Sequence, residues 1–330
     1  MTQTPPSAPS PTPTPFRIPY LPSMYQGIVL MILAMLCFGA MNNCVRFLSN
    51  SIPTEQVVLL RNVIALAVLS LWIFPQGVAP LRTRRIWSHI GRSTLGALSM
   101  HTWFYSLGHM PLADATALSF TTPIFVTVMA ILFMGEHGTK RRWIAVGLGL
   151  VGTLVVLRPG SEAIVNPVAG MAILSSVLIA IISLWVKSLS RTETTSSMLF
   201  YMALIMTLIA LPFGVLHWQP MSWVLWVAAC IMAGTSLLAH SLLIEAYKHA
   251  EMTKLMPYDF TRLLFTSLFA YLLFGEGVDS LTLLGAAVIV TGSIIAAREK
   301  IATPTSATAQ PSLNVAGAPP EIIARKDGGA

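Results

Sequence analysis

Residues 104–136, FYSLGHMPLADATALSFTTPIFVTVMAILFMGE, and residues 244–276, IEAYKHAEMTKLMPYDFTRLLFTSLFAYLLFGE, align without a gap when the chain is shifted by 140 positions. The register continues to Arg158 over Arg298. Over these 55 positions ten residues are identical, among them His109/His249, Phe120/Phe260, Thr121/Thr261, Gly135/Gly275, Glu136/Glu276 and Gly152/Gly292. Apolar bias alone does not hold one register through two loop boundaries. The chain contains an internal repeat.

Composition names the solvent in which the repeat folds. Hydrophobic residues make up 55% of the chain and charged residues 10%, whereas an ordinary soluble domain is about 25% charged. The chain is therefore expected to be an all-α membrane protein, because lipid cannot satisfy free backbone groups and the apolar runs are too long and uniform for barrel strands. A window of about 20 residues, enough to cross the hydrocarbon core, finds ten candidate spans at 26–47, 54–74, 93–108, 112–134, 143–157, 168–187, 196–216, 223–247, 253–274 and 281–297. The third and fifth are short. Each repeat holds five, at 26–158 and 168–298, and five is odd, so the second copy enters the membrane from the opposite side. Ten transmembrane helices in two inverted five-helix repeats are the expected fold, an arrangement many secondary carriers use to build a central site. The segments 1–25 and 303–330 read as disordered cytoplasmic tails; the first, rich in Pro, Ser and Thr, lacks the basic start, apolar core and small-residue cleavage site of a signal peptide.

Charge placement orients the spans. With the N-terminus cytoplasmic, 16 of the 20 Lys and Arg residues fall on the inner side, including Arg82, Arg84, Arg85, Arg92, Lys140, Arg141, Arg142, Lys187 and Arg191. Arg46 and Arg158 fall outside; Arg61 and Arg262 lie within spans. The positive-inside rule then places both termini in the cytoplasm of a cell whose inner (plasma) membrane the chain crosses. The net charge of +7 is thereby read as an orientation signal, and no nucleic acid is expected. Cys37, Cys44 and Cys230 sit inside apolar runs and read as packing residues, so no disulfide, metal or redox cofactor is expected. The absence of HExxH, GxSxG or paired-carboxylate patterns argues against an enzyme, and no catalytic residue is assigned.

These features carry a family resemblance. Two five-helix repeats, an arginine in the second span within IPTEQVVLLRN, the segments GHMPLADATALSFTTPIF and EAYKHAEMTKLMPYDF opening the fourth and ninth spans, and a Gly-Glu closing each resemble the EamA branch of the drug/metabolite transporter superfamily over residues 26–298. Within that branch, SMHTWFYSLGHMPLADATALSFTTPIF, SMLFYMALIMTLIALP and MPYDF are most similar to bacterial carriers of S-adenosylmethionine. The resemblance implies transmembrane transport of a small metabolite; the branch includes importers and exporters, of amino acids and vitamins among others.

Residues within the spans supply the candidate site. An ionisable residue at the bilayer centre costs about 2.5–3.5 kcal/mol on insertion scales, so it normally faces the bundle interior or a water-filled path. Asp259 and Arg262 stand three residues apart on one helical face, either as a self-neutralising structural pair or as contacts for a charged substrate. Tyr258 adjoins them, and Pro257 frees backbone groups nearby. Arg61, beside Asn62 and roughly 10 Å from the outer end of its helix at 1.5 Å per residue, is either a snorkelling side chain or a clamp for a carboxylate or phosphate. His101 and His240 stand at nearly repeat-related positions, where either could line the cavity or carry a coupling proton. Trp103 follows His101 with a stacking surface. Asn42 and Asn43 read as helix-packing residues, and Gly135-Glu136 and Gly275-Glu276 as helix ends.

The combined expectation is a carrier working by alternating access on a small polar or zwitterionic organic metabolite, S-adenosylmethionine being one candidate, with the lipid bilayer as its other partner. Export is the alternative direction, a homodimer is compatible with the sequence, and a membrane receptor or structural protein is the alternative outside transport. The orientation is directly testable. Reporter fusions at Ala330 and near Glu162 are expected to give opposite signals; equal signals would exclude ten spans in this orientation.

Overall fold

The structure, a computed structural model of the chain, describes residues 22–77, 79–109, 118–158, 168–275 and 280–298. Of the two expected tails, residues 1–21 and 303–330 lie outside the described residues. With no water to pair with, each backbone amide is satisfied within its own segment, and among the described residues all regular structure is helical. The helices are α1 (Ser23–Ser49), α2 (Thr54–Ile73), α3 (Ile86–His109), α4 (Thr122–Met134), α5 (Lys140–Leu157), α6 (Ala169–Leu189), α7 (Thr195–Leu216), α8 (Trp223–His249), α9 (Met252–Asp259), α10 (Thr261–Phe274) and α11 (Ser280–Ala297). Helices α1, α2, α6, α7 and α8 are long and apolar enough to cross a membrane, by length and composition. The others are shorter or less apolar.

Two spans differ from their sequence outlines. Helix α3 begins at Ile86, ahead of the expected 93, because His89 and Arg92 depress the apolar signal without stopping the helix. Both are buried, and the Arg92 guanidinium donates to the Met198 carbonyl at 3.0 Å. The ninth span is two helices, α9 and α10, parted at Phe260. Pro257 has no amide to continue the ladder, and the Tyr258 carbonyl accepts the Thr261 hydroxyl at 2.6 Å. The same device stands one repeat earlier, where Thr121 Oγ1 donates to the Leu118 carbonyl at 2.6 Å. The fourth span's opening residues, 110–117, lie outside the described residues.

Side chains at the centre reveal the symmetry axis. Phe120 and Phe260 are repeat mates, both buried, and their rings stack with centroids 5.9 Å apart and planes 20° apart. A residue touches its own counterpart only near the axis that relates the repeats. The fifth and tenth spans behave alike: a Cβ on Gly152 of α5 would meet the Gly285 carbonyl at 2.7 Å, and one on Gly292 of α11 would meet the Ala145 carbonyl at 3.0 Å. Shifting 152 and 285 by one repeat gives 292 and 145, so the two contacts are images of each other. Helix neighbours follow suit: α1 lies on α8 as α6 lies on α3, α1 on α10 as α6 on α4, and α2 packs on α7. At the helix ends Gly135 and Gly275 adopt left-handed φ of 67° and 66° and cap α4 and α10, which an L side chain would resist.

The axis is close-packed, so adding atoms there is costly. A Cβ on Gly149 would lie 2.2 Å from the Phe260 ring, whereas one on Gly147 meets nothing within 4 Å. Gly149→Ala is expected to destabilise by about 1–3 kcal/mol through overpacking, while Gly147→Ala, gaining helix propensity, is expected to be neutral or slightly stabilising. Thermal unfolding of the two variants in one detergent checks this; equal melting temperatures would contradict the packing described.

Candidate substrate site between the repeats

The break at Phe260 sets the site. Helix α9 has eight residues with a proline among them, too short to persist alone, so its environment must hold it. Most of that hold comes from the other repeat. Glu136, just beyond the α4 cap, accepts the backbone amides of Met252 and Thr253 at 2.9 and 2.8 Å, satisfying two otherwise orphaned donors at a positive helix end. Arg142 of α5, only 4% exposed, bonds the His137 carbonyl, donates to Thr253 Oγ1 at 2.6 Å and pairs with Glu251 at 3.1 Å. Lys187 of α6 bonds the Tyr247 carbonyl and donates to the Ala250 carbonyl at 2.6 Å, closing the C-terminus of α8. Charge-assisted hydrogen bonds net about 1.5–3 kcal/mol each. This clamp therefore fixes α9 against the first repeat.

At the far end of α9 the candidate pair is loose. Asp259 Oδ2 and Arg262 Nη2 are 3.7 Å apart, and both side chains are part-exposed. That is an ion pair but not a hydrogen bond. The Arg262 guanidinium also lies over the Phe120 ring at 5.1 Å, and Tyr247 of α8 lies against Ser183 of α6 within electrostatic reach of Asp259. At the repeat-related positions stand Ser119 and Thr122, and there the link is a neutral hydrogen bond from Thr122 Oγ1 to the Ser119 carbonyl at 2.7 Å. The charges belong to one repeat only. Tyr258 is buried at 3% exposure, and its hydroxyl has no hydrogen-bond partner among the described residues.

Arg61 occupies a second neighbourhood. It is half-buried on α2, within electrostatic reach of His240 on α8, and makes no hydrogen bond or ion pair among the described residues. His240 packs edge-on to Phe38 of α1 at 5.0 Å, its Nδ1 against the Ser236 carbonyl at 2.8 Å. His101 repeats the local bond, Nδ1 to the Ala97 carbonyl at 2.9 Å, but faces elsewhere. It sits edge-on to Phe213 and lines a cavity of about 300 Å³ between α2, α3 and α7, with Glu55, Met100 and Met206. Trp103 is half-buried on α3. Asn62 is buried and donates back to the Val58 carbonyl of its own helix at 2.9 Å, so its amide is occupied locally. Asn43 donates to the Gly39 carbonyl and, at 3.1 Å, to the Thr266 carbonyl of α10, the packing role its sequence position suggested.

The structure thus groups Asp259 with Arg262, Tyr247 and the stacked phenylalanines, and Arg61 with His240 and Phe38. His101 stands apart from both. Sequence reading missed Phe120 and Phe260 as a contact, although their identity at the repeat offset was the signal; it also gave Glu136 a helix-end role without its capping partner, which local sequence cannot show.

Comparison with known proteins follows the same outline. The EamA-like transporter family matches residues 25–158 and 167–298. An S-adenosylmethionine uptake transporter of Rickettsia felis is 27% identical over 81% of this chain and 91% of its own length. A pseudopaline exporter, CntI, of Pseudomonas aeruginosa is 29% identical over 83% and 96%, and a riboflavin transporter of Vibrio cholerae 28% over 80% and 90%. A protein of known crystal structure, 18% identical, superposes with a TM-score of 0.71 over 82% of this chain and 96% of its own, which shows the shared fold.

Whether Asp259 and Arg262 serve each other or a ligand can be decided by a double mutant. If they are only a structural pair, Asp259→Asn and Arg262→Gln each strand a charge, and the double variant regains both stability and transport. Ligand contact instead leaves the double variant folded and inactive; recovery of the wild-type rate would rule that role out.

Proposed function

This chain belongs to the EamA-like transporter family, and from that premise we propose that it is a secondary carrier of a small polar or zwitterionic organic metabolite. It is a multi-pass membrane transporter rather than an enzyme; in this reading it lies in the inner (plasma) membrane with both termini cytoplasmic. Substrate binds between the repeats and is exposed to each side in turn as the inverted halves exchange conformations.

One observation carries the reading of the substrate. Arg61 is half-buried within a span and has no hydrogen bond or ion pair among the described residues. A guanidinium cannot shed its charge at any ordinary pH, so a buried one needs an anion or water as partner. A substrate carboxylate or phosphate supplies that anion. Asp259, only loosely held by Arg262, is available to an ammonium or sulfonium group on the same molecule. In this reading one zwitterion spans the two neighbourhoods, and S-adenosylmethionine, the substrate named for several relatives, has such groups. Export is supported by the similarly related pseudopaline exporter. In this reading His240 or Asp259 carries any coupling proton, and the functional unit is a monomer or homodimer.

Substitution at Arg61 reads the substrate's charge without knowledge of its identity. Arg61→Lys keeps the charge but loses the planar fork. For a carboxylate or phosphate ligand it is expected to lower affinity at unchanged expression, and Arg61→Ala to lower it about tenfold or more, given the strength of charge-assisted bonds. Uptake or efflux by Arg61→Lys indistinguishable from wild type, at matched expression, would overturn the ligand role.

A further inference from the structure

A groove on the described surface lies away from the site just described. It has a volume of about 620 Å³ and runs between α4 and α6, lined by Met129, Phe133, Ile181, Leu184 and Trp185, then by Ser188 and Arg191. On α6 these positions recur every three or four residues, so they form one helical face. Helix α4 ends at Met134 and α6 at Leu189, which puts Ser188 and Arg191 where the α6 span gives way to the loop at 190–194. The groove is apolar for most of its length and cationic at its end.

The charges at that end are not equally committed. Arg85 donates to the Ser188 carbonyl at 3.3 Å, to Ser188 Oγ at 3.2 Å and to Thr192 Oγ1 at 3.3 Å. Lys187 is buried on the α8 end and feels the charge of Arg191. The acids nearby are engaged as well: Glu193 accepts from Thr83 at 2.7 Å, and Glu136 caps α9. Arg191 is exposed and makes no hydrogen bond or ion pair among the described residues. One engaged cation, Arg85, and one without a partner among the described residues, Arg191, therefore stand at the end of the apolar groove.

We propose that this groove is a binding site for an anionic phospholipid, with an acyl chain against Phe133, Ile181, Leu184 and Trp185 and the phosphate on Arg191. Any lipid chain fits an apolar groove facing the bilayer, so the chain alone confers no choice. The headgroup does. A basic residue near the membrane surface is worth about 1 kcal/mol to an anionic lipid, or about a fivefold preference. A second copy of the protein seated in the groove would instead bury the free guanidinium of Arg191 against apolar surface, an arrangement that burial of unpaired charge opposes.

Trp185 makes the site observable. Its ring packs over Gly91 of α3 and lines the groove, and Trp185→Phe keeps an aromatic ring there. In nanodiscs containing lipids with brominated acyl chains, the fluorescence lost from wild type, minus that lost from Trp185→Phe, reports lipid at this position. Half-quenching is expected at about a fivefold lower mole fraction of brominated phosphatidylglycerol than of brominated phosphatidylcholine. Arg191→Gln, an exposed change that is expected to leave the melting temperature unaltered, should remove that preference while leaving quenching by phosphatidylcholine intact. Equal quenching by the two lipids in wild type would overturn the proposal. So would the absence of quenching by either, accompanied by a doubled particle mass, which would give the groove to a second copy. The readout needs no substrate and does not depend on transport, so its failure leaves the carrier reading untouched and the reverse also holds.

Discussion

Phe120 stacking on Phe260 is the contact on which the rest of the architecture turns. The two residues are repeat mates, so their meeting fixes where the axis between the halves passes, and every helix pair is then generated twice. Around that stack the fifth and tenth spans approach closely enough that a Cβ would clash on both, at 152 and at 285, and would be tight at 292. The Arg262 guanidinium rests on the Phe120 face, so the charge of the candidate site is referenced to the same ring. In a solvent as apolar as the side chains themselves, close packing and hydrogen bonds rather than a hydrophobic drive hold helices together. An exact fit at the axis is therefore worth more here than in a soluble core.

Much of this was legible in the residues alone. The offset of 140 positions, the odd number of spans per repeat and the distribution of arginine and lysine define an inverted-repeat membrane protein, because each is a physical demand of the bilayer that composition cannot evade. The glycine stops at 135 and 275 were legible for a like reason: only glycine takes that backbone conformation cheaply. What stayed hidden depends on long-range contact. Nothing near Glu136 announces that it caps a helix more than a hundred residues on, and hydropathy saw one ninth span where the backbone has two, since a proline and a threonine redirect a helix without making it less apolar.

The candidate site was legible as a set of residue types but not as a geometry. Asp259 and Arg262 do share a face, as their spacing requires, yet at 3.7 Å they hold each other weakly. His101 and His240 bond their own helices in the same way and then face different surroundings, because one meets α7 and the other α1. Repeat symmetry relates backbones; side chains at related places are free to diverge. The charges that distinguish this carrier, Asp259 and Arg262 against Ser119 and Thr122, use that freedom.

The clamp on α9 uses it too. Glu136, Arg142, Glu251 and Thr253 tie the halves together; the repeat keeps a glutamate, Glu276, for Glu136, but the positions related to Arg142, Glu251 and Thr253 are Thr282, Pro111 and Ala113, so the ion pair is not repeated in the sequence. An inverted-repeat fold whose two halves share a backbone plan is thus weighted unevenly by its side chains. Arg142 is only 4% exposed, and a buried pair is screened little by salt, so this tie keeps its strength as ionic strength rises. Residues that the backbone symmetry leaves free to differ thus give one arrangement of the halves a tie that the repeat does not copy.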